Sequence, residues 1–62
     1  MSLVDRIKEL ASLKDLSIAD VEKRAHLSEN SIYKWDRVDP GYSKVVAVAD
    51  VLGVMVDELR RA

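Results

Sequence analysis

A chain of 62 residues has room for one domain and one core. It holds no cysteine, one histidine and a formal net charge of −1, which excludes a disulfide framework, a thiolate metal site and a zinc site built on His26 alone. There is no run of about 18 apolar residues to span a membrane, residues 1–6 lack a signal-peptide pattern, and the absence of cysteine suits a cytoplasmic location.

The composition favours helices, since only two Gly and one Pro punctuate the chain. Ser2 can cap a first helix, with Asp5 three residues on in a capping-box arrangement. Leu3, Ile7, Leu10 and Leu13, or Val4 and Ala11, recur at helical spacing. Residues 14–16 read as a connection. Ser17 caps a second helix, Asp20 repeats the box, and Ile18, Val21 and Ala25 form its apolar stripe. After the turn at His26 and Leu27, Ser28 is the expected N-cap of a third helix over 29–36. There Ile32 and Trp35 share an inner face, while Tyr33 and Lys34 point elsewhere.

Residues 37–41 form the clearest loop, because Pro40-Gly41 punctuates strongly. Ser43 is the expected cap of a fourth helix over 44–52, closed by Gly53. Its valines would also suit a strand, but the Ser cap, the closing Gly and Ala47 and Ala49 favour helix. A last short helix covers about 55–60, where Arg60 and Arg61 suit the negative end of the helix dipole. The expected architecture is a single all-α domain over 1–62 with five short helices.

The stretch from Ser17 to Arg37 carries the functional signal. A short helix, a tight turn plugged by Leu27 and a second helix anchored by Ile32 and Trp35 make a helix-turn-helix at predicted helices 2 and 3. In such a unit one helix enters the major groove, where base pairs show distinct donor and acceptor patterns. The other braces it. Four pieces in order, DRIKELA, LSIADVEKRA, LSENSIYKWD and VADVLGVMVDEL, extend the pattern over nearly the whole chain. With them the chain resembles the lambda-repressor/Cro-like, or XRE, family. It is most similar to the repressor domains of phages from Gram-positive bacteria.

The resemblance implies a compact five-helix DNA-binding domain acting as a transcriptional regulator on double-stranded DNA. Its third helix would be the recognition helix, with Glu29, Asn30 and Lys34 facing bases and Tyr33 and Arg37 nearby. Asn30 would pair with adenine, Lys34 with guanine and Glu29 with the cytosine amine. Ser28 would offer its hydroxyl or backbone N–H to phosphate. Such domains usually act as dimers on half-sites about 34 Å apart. The family usually has Gly where this chain has Asp15 and His26, so both are expected in the left-handed region. Met55 stands where the family usually has a Ser or Thr cap.

Two features point to another partner. Between Ser17 and Arg37 the acids Asp20, Glu22, Glu29 and Asp36 cancel the bases Lys23, Arg24, Lys34 and Arg37, and phosphate binding needs a basic surface. In the fourth helix Val45, Val48, Ala49 and Leu52 are expected inward. That leaves Val46, Ala47 and Val51, with Val38, Tyr42 and Met55, as an apolar patch of the kind that marks an interface. The alternative is therefore a protein-interaction module on the same scaffold, reshaped by evolution or engineering, binding a second copy or another protein. Catalysis is not expected: no nucleophile–base pair, phosphate loop, metal cluster or cofactor motif is present, and so small a helical domain offers little cleft volume.

Overall fold

In the computed structural model, which describes residues 2–60, four α-helices and one short 3₁₀-helix follow one another: α1 (Leu3–Leu13), α2 (Ile18–Arg24), the 3₁₀ segment (Ile32–Asp36), α3 (Tyr42–Leu52) and α4 (Val56–Arg60). The chain is all-helical among these residues, but the five expected α-helices are four, because the third is the 3₁₀ segment.

The helix starts follow local chemistry. Ser2 Oγ accepts from the Asp5 backbone N–H at 3.1 Å. At α2 the box is complete: Ser17 Oγ accepts from the Asp20 N–H at 3.1 Å, and the Asp20 carboxylate accepts from the Ser17 N–H at 3.0 Å. This reciprocal pairing satisfies two donors that the first turn would leave exposed. Ser43 does not cap α3. That helix begins two residues earlier than expected, at Tyr42, with Gly41 as its N-cap and no side-chain cap bond. The Gly41 carbonyl takes the N–H of Lys44 and Val45 directly, so the helix needs no hydroxyl there.

The first three α-helices end alike. Asp15, His26 and Gly53 adopt φ of 58°, 59° and 69°. After each, the next residue donates back to a carbonyl five positions earlier: Leu16 to Ala11, Leu27 to Glu22 and Val54 to Ala49, at 2.9, 2.8 and 3.0 Å. This is the Schellman closure, in which one left-handed residue turns the chain back so that the following apolar side chain covers the helix end. Leu16, Leu27 and Val54 are all half-buried against the core. The expectation of left-handed backbone at Asp15 and His26 is met.

One cluster forms the core: Val4, Ile7 and Ala11 from α1, Ile18 and Val21 from α2, Ala25, Ile32, Val45, Val48, Ala49 and Leu52, and Leu59 from α4. Fully burying a side chain of this kind is worth roughly 1.5–3 kcal/mol, and helices of five to eleven residues depend on that packing. The inward set predicted for α3 is buried throughout. Leu13 is not part of the core; it is 78% exposed, and Val4, Ile7 and Ala11 make the inner stripe of α1 instead. Arg6 Nε donates to the Glu58 carbonyl at 3.1 Å, tying α1 to α4. Arg60 pairs with Asp39 at 3.2 Å; Arg61 lies outside the described residues.

Candidate nucleic-acid interface

The stretch from α2 to the 3₁₀ segment is shaped by one residue that sequence patterning does not single out. Glu22 is only 3% exposed. It shares the inner stripe of α2, four residues after Ile18, and its carboxylate reaches across the turn. Oε1 accepts the backbone N–H of Asn30 at 3.1 Å, and Oε2 accepts that of Ile32 at 3.0 Å. A buried carboxylate is tolerated when its oxygens are satisfied in this way, and among the described residues no buried side-chain polar atom lacks a partner.

This arrangement explains why the expected α-helix over 29–36 does not form. Asn30 takes φ 66°, a left-handed conformation that Asn tolerates better than most residues and that interrupts a right-handed helix. The N–H groups of Asn30 and Ile32 are turned toward Glu22. Only then does the 3₁₀ segment begin. Its three-residue period stacks side chains three apart. Ile32 and Trp35 therefore point inward together, Ile32 fully buried and Trp35 half-buried on the core. Lys34 and Arg37 fall in one outward row.

Ser28 is consequently not a helix cap. Ser31 Oγ donates to the Ser28 carbonyl at 2.7 Å, and the two hydroxyls lie 2.6 Å apart. With the Ser31 proton committed to that carbonyl, the Ser28 hydroxyl must be the donor between them. Its proton is used internally, and the amides at the start of the 3₁₀ segment are already held by Glu22. The helix N-terminus expected around Ser28 is therefore absent, and the Glu22 carboxylate caps the amides of Asn30 and Ile32 instead.

The other expected side chains are exposed, and the structure sorts them. Asn30, Tyr33, Lys34 and Arg37 come together with Asp36 around one shallow depression of about 360 Å³. Ser28 lies on the far side of Lys34, on a depression that Lys44 shares. Glu29 turns away toward α2, beside Ala19 and Lys23. Lys8 of α1 sits over the Tyr33 ring, 5.4 Å from its centre.

Lys34 lines both depressions, with Arg37 and Asp36 on one and Lys44 and Asp39 on the other, and Lys8 lies over Tyr33; none of these four bases takes part in the ion pairs among the described residues, Arg6–Glu9 and Arg60–Asp39. Sequence reasoning missed Lys8 and Lys44, which lie outside the 17–37 window and join it only in the fold. It also counted Glu22 as surface charge. With Glu22 withdrawn, the exposed acids of that window are Asp20, Glu29 and Asp36, against four bases. Asp20 is held below its ordinary pKa by its hydrogen bonds, first from the Ser17 backbone N–H and then from the Ser17 side chain. Among the described residues no cluster of His, Asp and Glu side chains could hold a metal ion.

The six residues of the expected apolar patch do not form one surface. Val38, Tyr42 and Met55 are exposed, whereas Val46, Ala47 and Val51 are half-buried. Ala47 and Val51 pack on the core from one flank of α3. Tyr42, Val46 and Met55 share a groove at the other flank, and Val38 lies apart, beside Trp35 and Lys34. The helical repeat separates the two flanks of α3 by the exposed Ser43 and Asp50. No helix is long and apolar enough to cross a membrane among the described residues. No family model and no curated protein matches the chain.

Proposed function

We propose that this protein is a sequence-specific DNA-binding regulator of the repressor type, a helix-turn-helix domain that sets residues 28–37 in the major groove. The observation that carries the reading is the exposed group Asn30, Tyr33, Lys34 and Arg37 on one shallow surface, flanked by Lys8 and Lys44, with Glu22 of the same stretch turned inward. The resemblance of the four sequence pieces to XRE domains supports it independently. A five-residue 3₁₀ segment is about 10 Å long at ~2.0 Å per residue, short enough to present its outer row within a groove about 12 Å wide.

In this mechanism Lys34 and Arg37 donate to base edges or phosphate. The Asn30 amide reads adenine, and Lys8 and Lys44 contact the backbone on either side. Two copies on adjacent half-sites would double the contact.

The test is selection from a random double-stranded DNA pool at low salt, followed by salt titration of the recovered sequence. Four neutralised phosphates give a slope of log K against log salt of about −3 to −4 for one copy. Lys34→Ala should reduce the slope by about 0.9 if its partner is phosphate, or relax the preference at one base pair if it reads a base. Asn30→Gly is the cleaner reading-head variant, because glycine accepts φ 66° and removes only the amide. A folded protein that enriches no sequence, or whose binding ignores salt, refutes the proposal.

A further inference from the structure

The groove between α3 and α4 brings together two of the exposed large apolar side chains, Tyr42 and Met55, and has no role in the proposed DNA surface. Tyr42 and Met55 are 72% and 70% exposed. They line an open depression of about 420 Å³ with the half-buried Val46 and Val54. Isolated exposed apolar side chains are ordinary, but here several share one surface, and such contiguity marks interaction sites. Tyr42 and Val46 stand one helical turn apart on α3, and the Schellman closure at Gly53 folds Val54 back onto Ala49. The backbone under the groove's walls is therefore held by hydrogen bonds, while the exposed Tyr42 and Met55 side chains can adapt to what they receive.

The charges around the groove decide what fits it. Asp50 and Asp57 line it, both are exposed, and neither is in an ion pair among the described residues. No Lys, Arg or His lines it. A second copy docked symmetrically would bring two acidic patches together with no basic group of the groove to pair them, since an isologous interface pairs a patch with itself. A groove so open also encloses too little of a small apolar ligand. We propose that the α3–α4 groove is a docking site for another protein, one that presents apolar anchor side chains flanked by Lys or Arg. Tyr42 and Met55 supply the adaptable apolar contact, while Asp50 and Asp57 select the basic flanks.

The probe is a library of random short peptides displayed on phage and selected on the intact protein, with the recovered peptides synthesised and titrated by fluorescence polarisation. Enriched peptides should combine apolar residues with adjacent Lys or Arg. Their affinity should fall by roughly tenfold or more with Met55→Glu, a change at an exposed position that leaves the core intact, and with Asp57→Lys. Replacing the peptide's basic residues by Glu should abolish binding. Circular dichroism confirms the fold of each variant. No enrichment, or enriched peptides indifferent to both variants, overturns the proposal. So does a concentration-dependent dimer that Met55→Glu dissolves in sedimentation, because the occupant is then a second copy. DNA binding by the Met55→Glu variant should be unchanged, so the two surfaces are tested separately.

Discussion

Replacing Glu22 with glutamine changes one oxygen into an amide and removes one charge, with almost no change in volume. The carboxylate now satisfies two backbone donors, that of Asn30 in a part-buried bond at 3.1 Å and that of Ile32 in a buried bond at 3.0 Å. Glutamine offers one acceptor oxygen; its NH₂ must face the other N–H, donor against donor. One charge-assisted bond, worth about 1.5–3 kcal/mol, is lost and the other weakens to a neutral bond. The expected destabilisation is about 2–4 kcal/mol. A chain of this length has a total stability of roughly 3–9 kcal/mol, so the variant should melt roughly 10–30 °C below the parent. Glu22→Leu should be worse, because it preserves apolar packing but removes both bonds and leaves the buried Ile32 donor unpaired at about 1–3 kcal/mol. Thermal and urea unfolding by circular dichroism give the magnitudes. Hydrogen exchange gives the location, since the amides of Asn30 and Ile32 should lose protection first in the glutamine variant. If that variant lies within about 0.5 kcal/mol of the parent with both amides still protected, the capping argument is wrong.

Other positions give further expectations. His26→Gly should stabilise by about 1 kcal/mol, because φ 59° strains a residue with a Cβ, and a lower melting temperature would contradict this. Gly53→Ala should destabilise by about 1–2 kcal/mol through backbone strain alone, since the added Cβ would meet only the Lys14 side chain at 3.5 Å. Asp20→Asn should lower the melting temperature near pH 7. The folded Asp20 is more acidic than its ordinary value of 3.8, so its contribution is fully present above that value and is lost as the pH falls through the folded pKa. The gap between parent and variant should therefore close in strong acid; a gap that persists at the lowest pH would point to a contribution other than the carboxylate charge.

Much of the helical framework was legible because it depends on neighbours in sequence. The Ser17–Asp20 box is set by three-residue spacing, and the buried face of α3 by its periodicity. The turns at Asp15 and His26 followed from the family resemblance, not from the residues alone. Glu22 was not legible, because what justifies its burial is a pair of amides eight and ten residues downstream. The one clue was a carboxylate inside an apolar stripe. The 3₁₀ segment was misread for a related reason: Ser28 followed by polar residues resembles a helix start, while the interruption at Asn30 depends on its pairing with Glu22. Ser43 failed as a cap because the Gly41 carbonyl already opens α3. For the candidate site, residues 30–37 were identifiable from the resemblance, whereas Lys8 and Lys44 join them only through tertiary packing.

Three turns of this chain are made by Asp15, His26 and Asn30 in a backbone conformation that glycine adopts freely. In genetic terms they are latent suppressor positions. A selection for second-site changes that rescue a destabilised variant, whatever its original lesion, should return glycine at 15 and 26 repeatedly. Glycine at 30 should rescue folding while removing the amide to which the proposed function assigns base reading. The frequency of glycine at these three codons under selection for folding alone, compared with selection for the proposed DNA binding, would then show whether position 30 is held to asparagine by more than shape.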